Sequence, residues 1–137
     1  MRKFFLVGGG ALIATALIAA GASAHTTKFS VITLNQSAHP SGDGVIIHGK
    51  IVDPSDRHEV IGHDRAHFSP NGDRVRARIR FHFEDGSELR VKGGFGPGDN
   101  KLAVAGGSGV FEDADGVVRL HDAGEGAERY AFRLTGP

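Results

Sequence analysis

The 137-residue chain has no cysteine and a single tyrosine, and its 16 lysines and arginines are balanced by 16 aspartates and glutamates. Without cysteine no disulfide can staple the fold, and a lipoprotein anchor is excluded. A formal net charge of zero excludes a globally basic protein of the kind that coats nucleic acid or a membrane surface. No stretch after residue 24 keeps a helical period. A phosphate-binding loop would need a Gly-Lys-Ser/Thr ending, which is missing. Asp113-Ala114-Asp115-Gly116 lacks the later glutamate that completes a calcium loop. No serine stands in a strained strand-to-helix elbow, so no nucleophilic triad is read. Neither a metal nor a cofactor is expected.

What is present begins with an export signal. Arg2 and Lys3 form a short positive region, Phe4 to Ala20 is apolar apart from Thr15, and Ala22-Ser23-Ala24 has the small-x-small form of a cleavage site. Residues 1–24 are therefore expected to be a signal peptide helix, with a retained membrane anchor as the competing reading. Cleavage after Ala24 gives a secreted or periplasmic protein with no stable membrane insertion. Residues 25–43 then form an N-terminal segment carrying the first strand, and residues 44–137 the remainder of a single β-barrel domain.

Short apolar runs separated by turn residues predict eight strands: Lys28–Leu34, Gly44–Val52, Glu59–Phe68, Arg74–Phe83, Ser87–Gly93, Lys101–Ala105, Val117–Asp122 and Arg129–Thr135. Asn35 to Gly44 and Gly94 to Asn100 read as loops. The clearest strand alternates Val75, Ala77, Ile79, Phe81 and Phe83 with Arg74, Arg76, Arg78, Arg80 and His82. A period of two puts one set inside and the other outside, as in one-sided antiparallel sheets. An Asn71-Gly72 turn would set Phe68 opposite Val75, Ala66 opposite Ala77 and Asp64 opposite Ile79. It would also set His67 beside Arg76, Arg65 beside Arg78 and His63 beside Arg80. Val45, Ile47, Ile51, Leu102, Val104, Val118, Leu120, Tyr130, Phe132 and Leu134 are expected inside. Closing eight strands removes exposed edges, so the reading is an all-β, eight-stranded antiparallel up-and-down barrel, with a two-sheet sandwich as the alternative.

Leu102-Ala-Val-Ala-Gly-Gly-Ser-Gly-Val-Phe111, Ala114-Asp-Gly-Val-Val118 and Tyr130-Ala-Phe-Arg-Leu134 carry a family pattern. With Gly44–Val52, Gly62 and the Asp85–Gly93 segment upstream, the chain resembles the allene oxide cyclase and dirigent-like barrel proteins, as a secreted bacterial member. The resemblance covers about Gly44 to Leu134. It implies an eight-stranded barrel, often a trimer, that works on hydrophobic intermediates by ring closure or by steering a coupling reaction. Ser108 stands where the family has threonine, and Asp115 where dirigent-like members have arginine. A bare barrel that binds a small hydrophobic molecule or acts as a scaffold fits the resemblance, and a cofactor-free isomerase or cyclase is the alternative. A homo-oligomer, dimer or trimer, is the expected assembly, and nucleic acid is not an expected partner.

Asp64 and Tyr130 are the polar residues expected on inward faces. Burial would raise the carboxyl pKa into the range useful for acid/base work, and a tyrosine hydroxyl could donate to a developing oxyanion. The plain alternative is a carboxylate bonded at a barrel end and a core tyrosine with a wet tip. Phe81, Phe111 and Phe132 are the expected lining of any pocket. Gly106, Gly107, Ser108 and Gly109 form the motif loop, a sharp reversal that lets Phe111 plug or line the barrel mouth. His63 and His67 share a strand face but lie about 13 Å apart at four residues' rise, too far for one metal. The outer face carries a basic band of Arg65, Arg74, Arg76, Arg78, Arg80, Arg90 and Lys92, which reads as a solvated wall or as a site for anionic surfaces.

Overall fold

The computed structural model describes residues 25–136. The expected signal peptide, residues 1–24, lies outside the described residues. The chain forms eight strands: β1 (His25–Ser41), β2 (Gly44–Asp53), β3 (Asp56–Asn71), β4 (Arg74–Phe83), β5 (Glu88–Phe95), β6 (Lys101–Ser108), β7 (Asp115–Asp122) and β8 (Ala127–Gly136). Each pairs antiparallel with the next, and β1 pairs with β8, from His25 opposite Gly136 to Leu34 opposite Ala127. The result is a closed up-and-down barrel, not a sandwich, in which the first and last strands pair with each other. Among the described residues the one helical element is a 3-10 turn, Gly109–Phe111. No described helix is long and apolar enough to cross a membrane.

Alternation in the sequence becomes sidedness in the barrel. In β4, Ala77, Ile79 and Phe81 are buried while Arg76, Arg78, Arg80 and His82 are exposed. Residues of matching parity from the other strands complete the interior, including Val31, Ile51, Ala66, Leu89, Val91, Leu102, Val104, Val118, Phe132 and Leu134. Apolar burial of this kind stabilises by roughly 25 cal/mol per Å². A smaller cluster of Ile32, Val52 and Ala127 forms on the opposite face of β1, with Leu34, Val60 and Ala123 packed against it.

Three sequence expectations are corrected. Asn35 to Gly44 is not a loop: β1 runs on to Ser41 and pairs with β2 down to Ser41 opposite Gly44, through a bulge between Asn35 and Ser37. Residues 35–40 are all exposed. Past Leu34, where its pairing with β8 ends, β1 is an outer edge laid on β2, while β2 itself pairs on with β3. Held by backbone pairing, this exposed extension needs no apolar alternation and gave none to read. The β3–β4 register is also displaced by two residues, with Phe68 opposite Ala77, Ala66 opposite Ile79 and Asp64 opposite Phe81. On the outside His67 therefore meets Arg78, Arg65 meets Arg80 and His63 meets His82. The turn is Gly72-Asp73, closed by Asn71 opposite Arg74, with φ +70° at Gly72. A turn with positive φ only at its first residue takes glycine there, whereas an Asn71-Gly72 turn would require it at both. A shift of two keeps every side chain on its expected face. Finally, Val45 and Ile47 are half-buried and stand apart from the main core cluster. They pair with Phe68 and Ala66 of β3 on one side, but on the other with the exposed part of β1 that has run past its pairing with β8.

Candidate functional site

Asp64 lies in the middle of β3, on the inward face between Gly62 and Ala66, and is 5 % exposed. Its strand neighbours are Gly49 on β2 and Phe81 on β4. A side chain at Gly49 would meet the Asp64 Oδ1 at 2.7 Å and the Leu34 carbonyl oxygen at 2.7 Å, so the carboxyl occupies the space that glycine leaves. Oδ1 has no hydrogen-bond partner among the described residues. Burial pushes the Asp64 pKa up from 3.8 to about 7; the charge of Glu128 adds to the rise, and Asp64's own backbone N–H opposes it.

Glu128 is the residue that the sequence reading passed over. It sits on β8, opposite Thr33 of β1 and Asp122 of β7. Thr33, fully buried, donates its hydroxyl to Glu128 Oε1 at 3.3 Å, and the Asn35 amide donates to Oε2 at 3.2 Å. The signal was available: Glu128, Tyr130, Phe132 and Leu134 share one parity. The predicted strand began at Arg129, one residue too late to include it.

Tyr130 is 1 % exposed and packs edge-to-face on Phe81, with ring centroids 5.0 Å apart. Burial first, then the charges of Glu128 and Asp64, raises its hydroxyl well above the ordinary tyrosine range. It therefore stays protonated and can only donate or accept as a neutral phenol. The structure thus brings Asp64, Glu128, Tyr130 and Thr33 into one polar patch against an aromatic wall.

That wall is a column of rings. Phe81 meets Phe132 at 5.4 Å, Phe132 stacks on Phe29 at 4.9 Å, and Phe29 stacks on Phe111 at 5.9 Å, with Phe83 beyond. Phe81, Phe111 and Phe132 are each at most 2 % exposed, so they fill the barrel instead of lining an empty bore. The open side of the patch lies toward half-buried Glu128 and exposed Asn35.

Gly106 to Ser108 end β6, and Gly109 opens the 3-10 turn that delivers Phe111 to the core. A Cβ at Gly107 would strike the Phe111 and Glu88 carbonyl oxygens at 2.6 and 2.7 Å, so the chain passes too closely there for any side chain. The basic residues Arg65, Arg76, Arg78, Arg80, Arg90 and Lys92 are exposed on the barrel's outer face. Arg74 is half-buried, donating to the Gly94 carbonyl at 2.7 Å and to Asp99 at 2.8 Å. Among the described residues no three histidine, aspartate or glutamate side chains group closely enough to hold a metal ion.

No protein-family profile matches the chain, and no curated protein matches it. A solved structure of a pyocyanin demethylase superposes with a TM-score of 0.62 at 14 % identity, over 79 % of this chain and 99 % of that one. At that identity the likeness is one of fold: this chain shares an eight-stranded antiparallel barrel architecture with it.

Proposed function

We propose that this is an exported barrel of allene oxide cyclase or dirigent-like type that seats a small hydrophobic ligand against the Asp64 carboxyl. The observation that carries this reading is the unpartnered, buried Asp64 Oδ1. Leaving such an atom unsatisfied costs roughly 1–3 kcal/mol, and a purely structural core would put an apolar side chain there. A ligand hydroxyl or N–H would satisfy it, while Phe81 and Tyr130, both buried, back the carboxyl from the core side. The rings fill the middle of the barrel, so the seat is at the end bounded by Glu128, Thr33 and Asn35.

The same patch supports a second reading, a cofactor-free isomerase or cyclase. A carboxyl with a pKa of about 7 is near the optimum for giving and taking protons at neutral pH. Glu128 offers a second carboxylate, so one group can deliver a proton while the other removes one. A barrel of this fold is named a demethylase, so the architecture can house an enzyme site. The type assignment is supported by the glycine-rich reversal that delivers Phe111. Secretion or a periplasmic location, and a dimer or trimer, belong to the same proposal.

Native mass spectrometry of protein purified from its own host tests it. The expected result is a copurified small apolar molecule, retained by the native protein and lost from Asp64→Asn. Tyr130 is the chain's one tyrosine and tryptophan is absent, so tyrosine emission reports on the site itself. Protein released at its bare chain mass, whose emission no neutral phenol or ketone in a panel changes, would overturn the proposal.

A further inference from the structure

The outer face of β3, β4 and β5 carries a block of cations that the interior site does not use. Pairing sets His67, Arg78 and Lys92 in one row across the three strands, and Arg65, Arg80 and Arg90 in the next. Each member thus faces a like-charged or protonatable neighbour directly across the ladder. Such an arrangement destabilises a sheet by itself. Adjacent strands lie about 4.8 Å apart and same-face residues about 6.7 Å, so the block measures roughly 10 by 7 Å.

These six residues line a concave groove of about 430 Å³. Ser41 at the end of β1 and Ile46 on β2, opposite His67, bound one side, and Ala105 of β6 the other. Beside the groove the outward side chains of β6 are small, Ala103 and Ala105, and the Arg90 guanidinium lies 2.9 Å from where a Cβ on Gly106 would be. Bulk at Ala105 would narrow the groove. Among the described residues Glu88 is the one carboxylate that reaches the block, at 3.3 Å from Arg90 and 3.5 Å from Arg80. Among the described residues Arg65, Arg78 and Lys92 have no acidic partner. The His67 Nε2 is buried in the groove wall without a hydrogen-bond partner.

We infer that this groove binds a compact anion bearing several phosphate groups, either a short soluble polyphosphate or the phosphorylated headgroup of a lipid. Arginine forks match phosphate oxygens in pairs, and four arginines with one lysine against a single carboxylate leave four positive charges uncompensated. A lone orthophosphate neutralises at most half of that excess, whereas linked phosphates can reach both rows. Single-stranded nucleic acid would need aromatic platforms for its bases, and the block has none beyond His67. The inference is independent of the Asp64 site.

Calorimetric titration of the purified protein with inorganic tripolyphosphate tests it, with orthophosphate as the comparison. The expected result is one-to-one binding, roughly tenfold or more tighter for tripolyphosphate and weakened by salt. Arg78→Gln combined with Arg80→Gln should lose that affinity at least tenfold, and Lys92→Gln should lose part of it. Arg129→Gln combined with Arg133→Gln removes equal charge from β8 and should leave binding unchanged. Tyr130 emission verifies that each variant keeps its fold. Flotation with vesicles of phosphatidylcholine containing phosphatidylinositol bisphosphate separates the two sources. Capture that depends on Arg78 and Arg80 assigns the lipid headgroup, and soluble binding alone assigns the free anion; both support the groove. Equal loss in the two double variants, no tripolyphosphate binding, or binding only to a single-stranded oligonucleotide would overturn it.

Discussion

Gly49 and Asp64 face each other across the β2–β3 pair, and the carboxyl of one fills the volume that the other leaves vacant. Gly49→Ala places a methyl group 2.7 Å from Asp64 Oδ1 and 2.7 Å from the Leu34 carbonyl oxygen. One contact is a side chain that can turn away; the other is backbone. The variant should therefore lose about 1–3 kcal/mol in urea unfolding, the usual cost of overpacking. Adding Asp64→Ala should recover part of the loss and no more. Strictly additive penalties would show that the two residues do not share that space.

Asp64 also makes stability depend on pH in an unusual direction. Its pKa rises from 3.8 to about 7 on folding, so the folded state holds the proton more tightly than the unfolded chain. Stability from this group is complete below pH 4, falls as pH rises toward 7, and is flat above. The total is on the order of 4 kcal/mol, taking 1.36 kcal/mol per unit. Asp64→Asn should remove this slope, so the difference between the two melting curves isolates the residue from other carboxylates. Glu128→Gln should move the window to lower pH, because the Glu128 charge is part of the cause. Parallel curves for the parent and Asp64→Asn would contradict the burial of a titrating carboxyl.

Sidedness was the most legible property of this chain. Five alternating residues on β4 fix its two faces, and they do so whatever the register, since a slip of two preserves parity. Register was less legible because it turned on which residue of Asn71-Gly72-Asp73 takes positive φ, and both Asn and Gly can. The end of β1 hid for a different reason: Asn35 to Ser41 bury no apolar face, so no pattern distinguishes them from a loop. At the site, Asp64 and Tyr130 stood out as polar residues on inward parities. Gly49 and Thr33 did not, because what they do depends on a contact across strands far apart in sequence. The three-strand cation block was visible as a composition, but its two rows follow from the true register alone.

Phe111 closes one end of the ring column, stacked on Phe29 at 24° and 5.3 Å from Phe83. Phe111→Ala opens a cavity among rings that cannot collapse, and should cost about 3–5 kcal/mol. Phe111→Leu should cost less, since most of the volume is kept. Denaturant titration followed by circular dichroism measures both. A cost for the alanine variant near zero would mean that the 3-10 turn is a surface appendage, and the plug reading would fail.

Ser87 offers a test of burial against bond count. It is 2 % exposed, and its hydroxyl oxygen accepts the Val110 N–H at 3.1 Å, joining the β4–β5 turn to the segment that carries Phe111. Ser87→Ala removes the acceptor and leaves that half-buried amide unpaired, which should cost about 1–3 kcal/mol. Threonine is no conservative rescue: Gly109 already approaches so closely that a Cβ on it would lie 2.5 Å from the Ser87 oxygen, and an added methyl has little room. The Arg74–Asp99 pair at 2.8 Å is shorter, yet both side chains are more than 40 % exposed, so solvent competes for each charge. Asp99→Ala should therefore destabilise less than Ser87→Ala, and its effect should shrink further in high salt. Thermal melts of the two variants at low and high ionic strength decide the order. A larger, salt-insensitive loss for Asp99→Ala would mean that the surface loop, and not the buried seam beneath Phe111, holds this end of the barrel together.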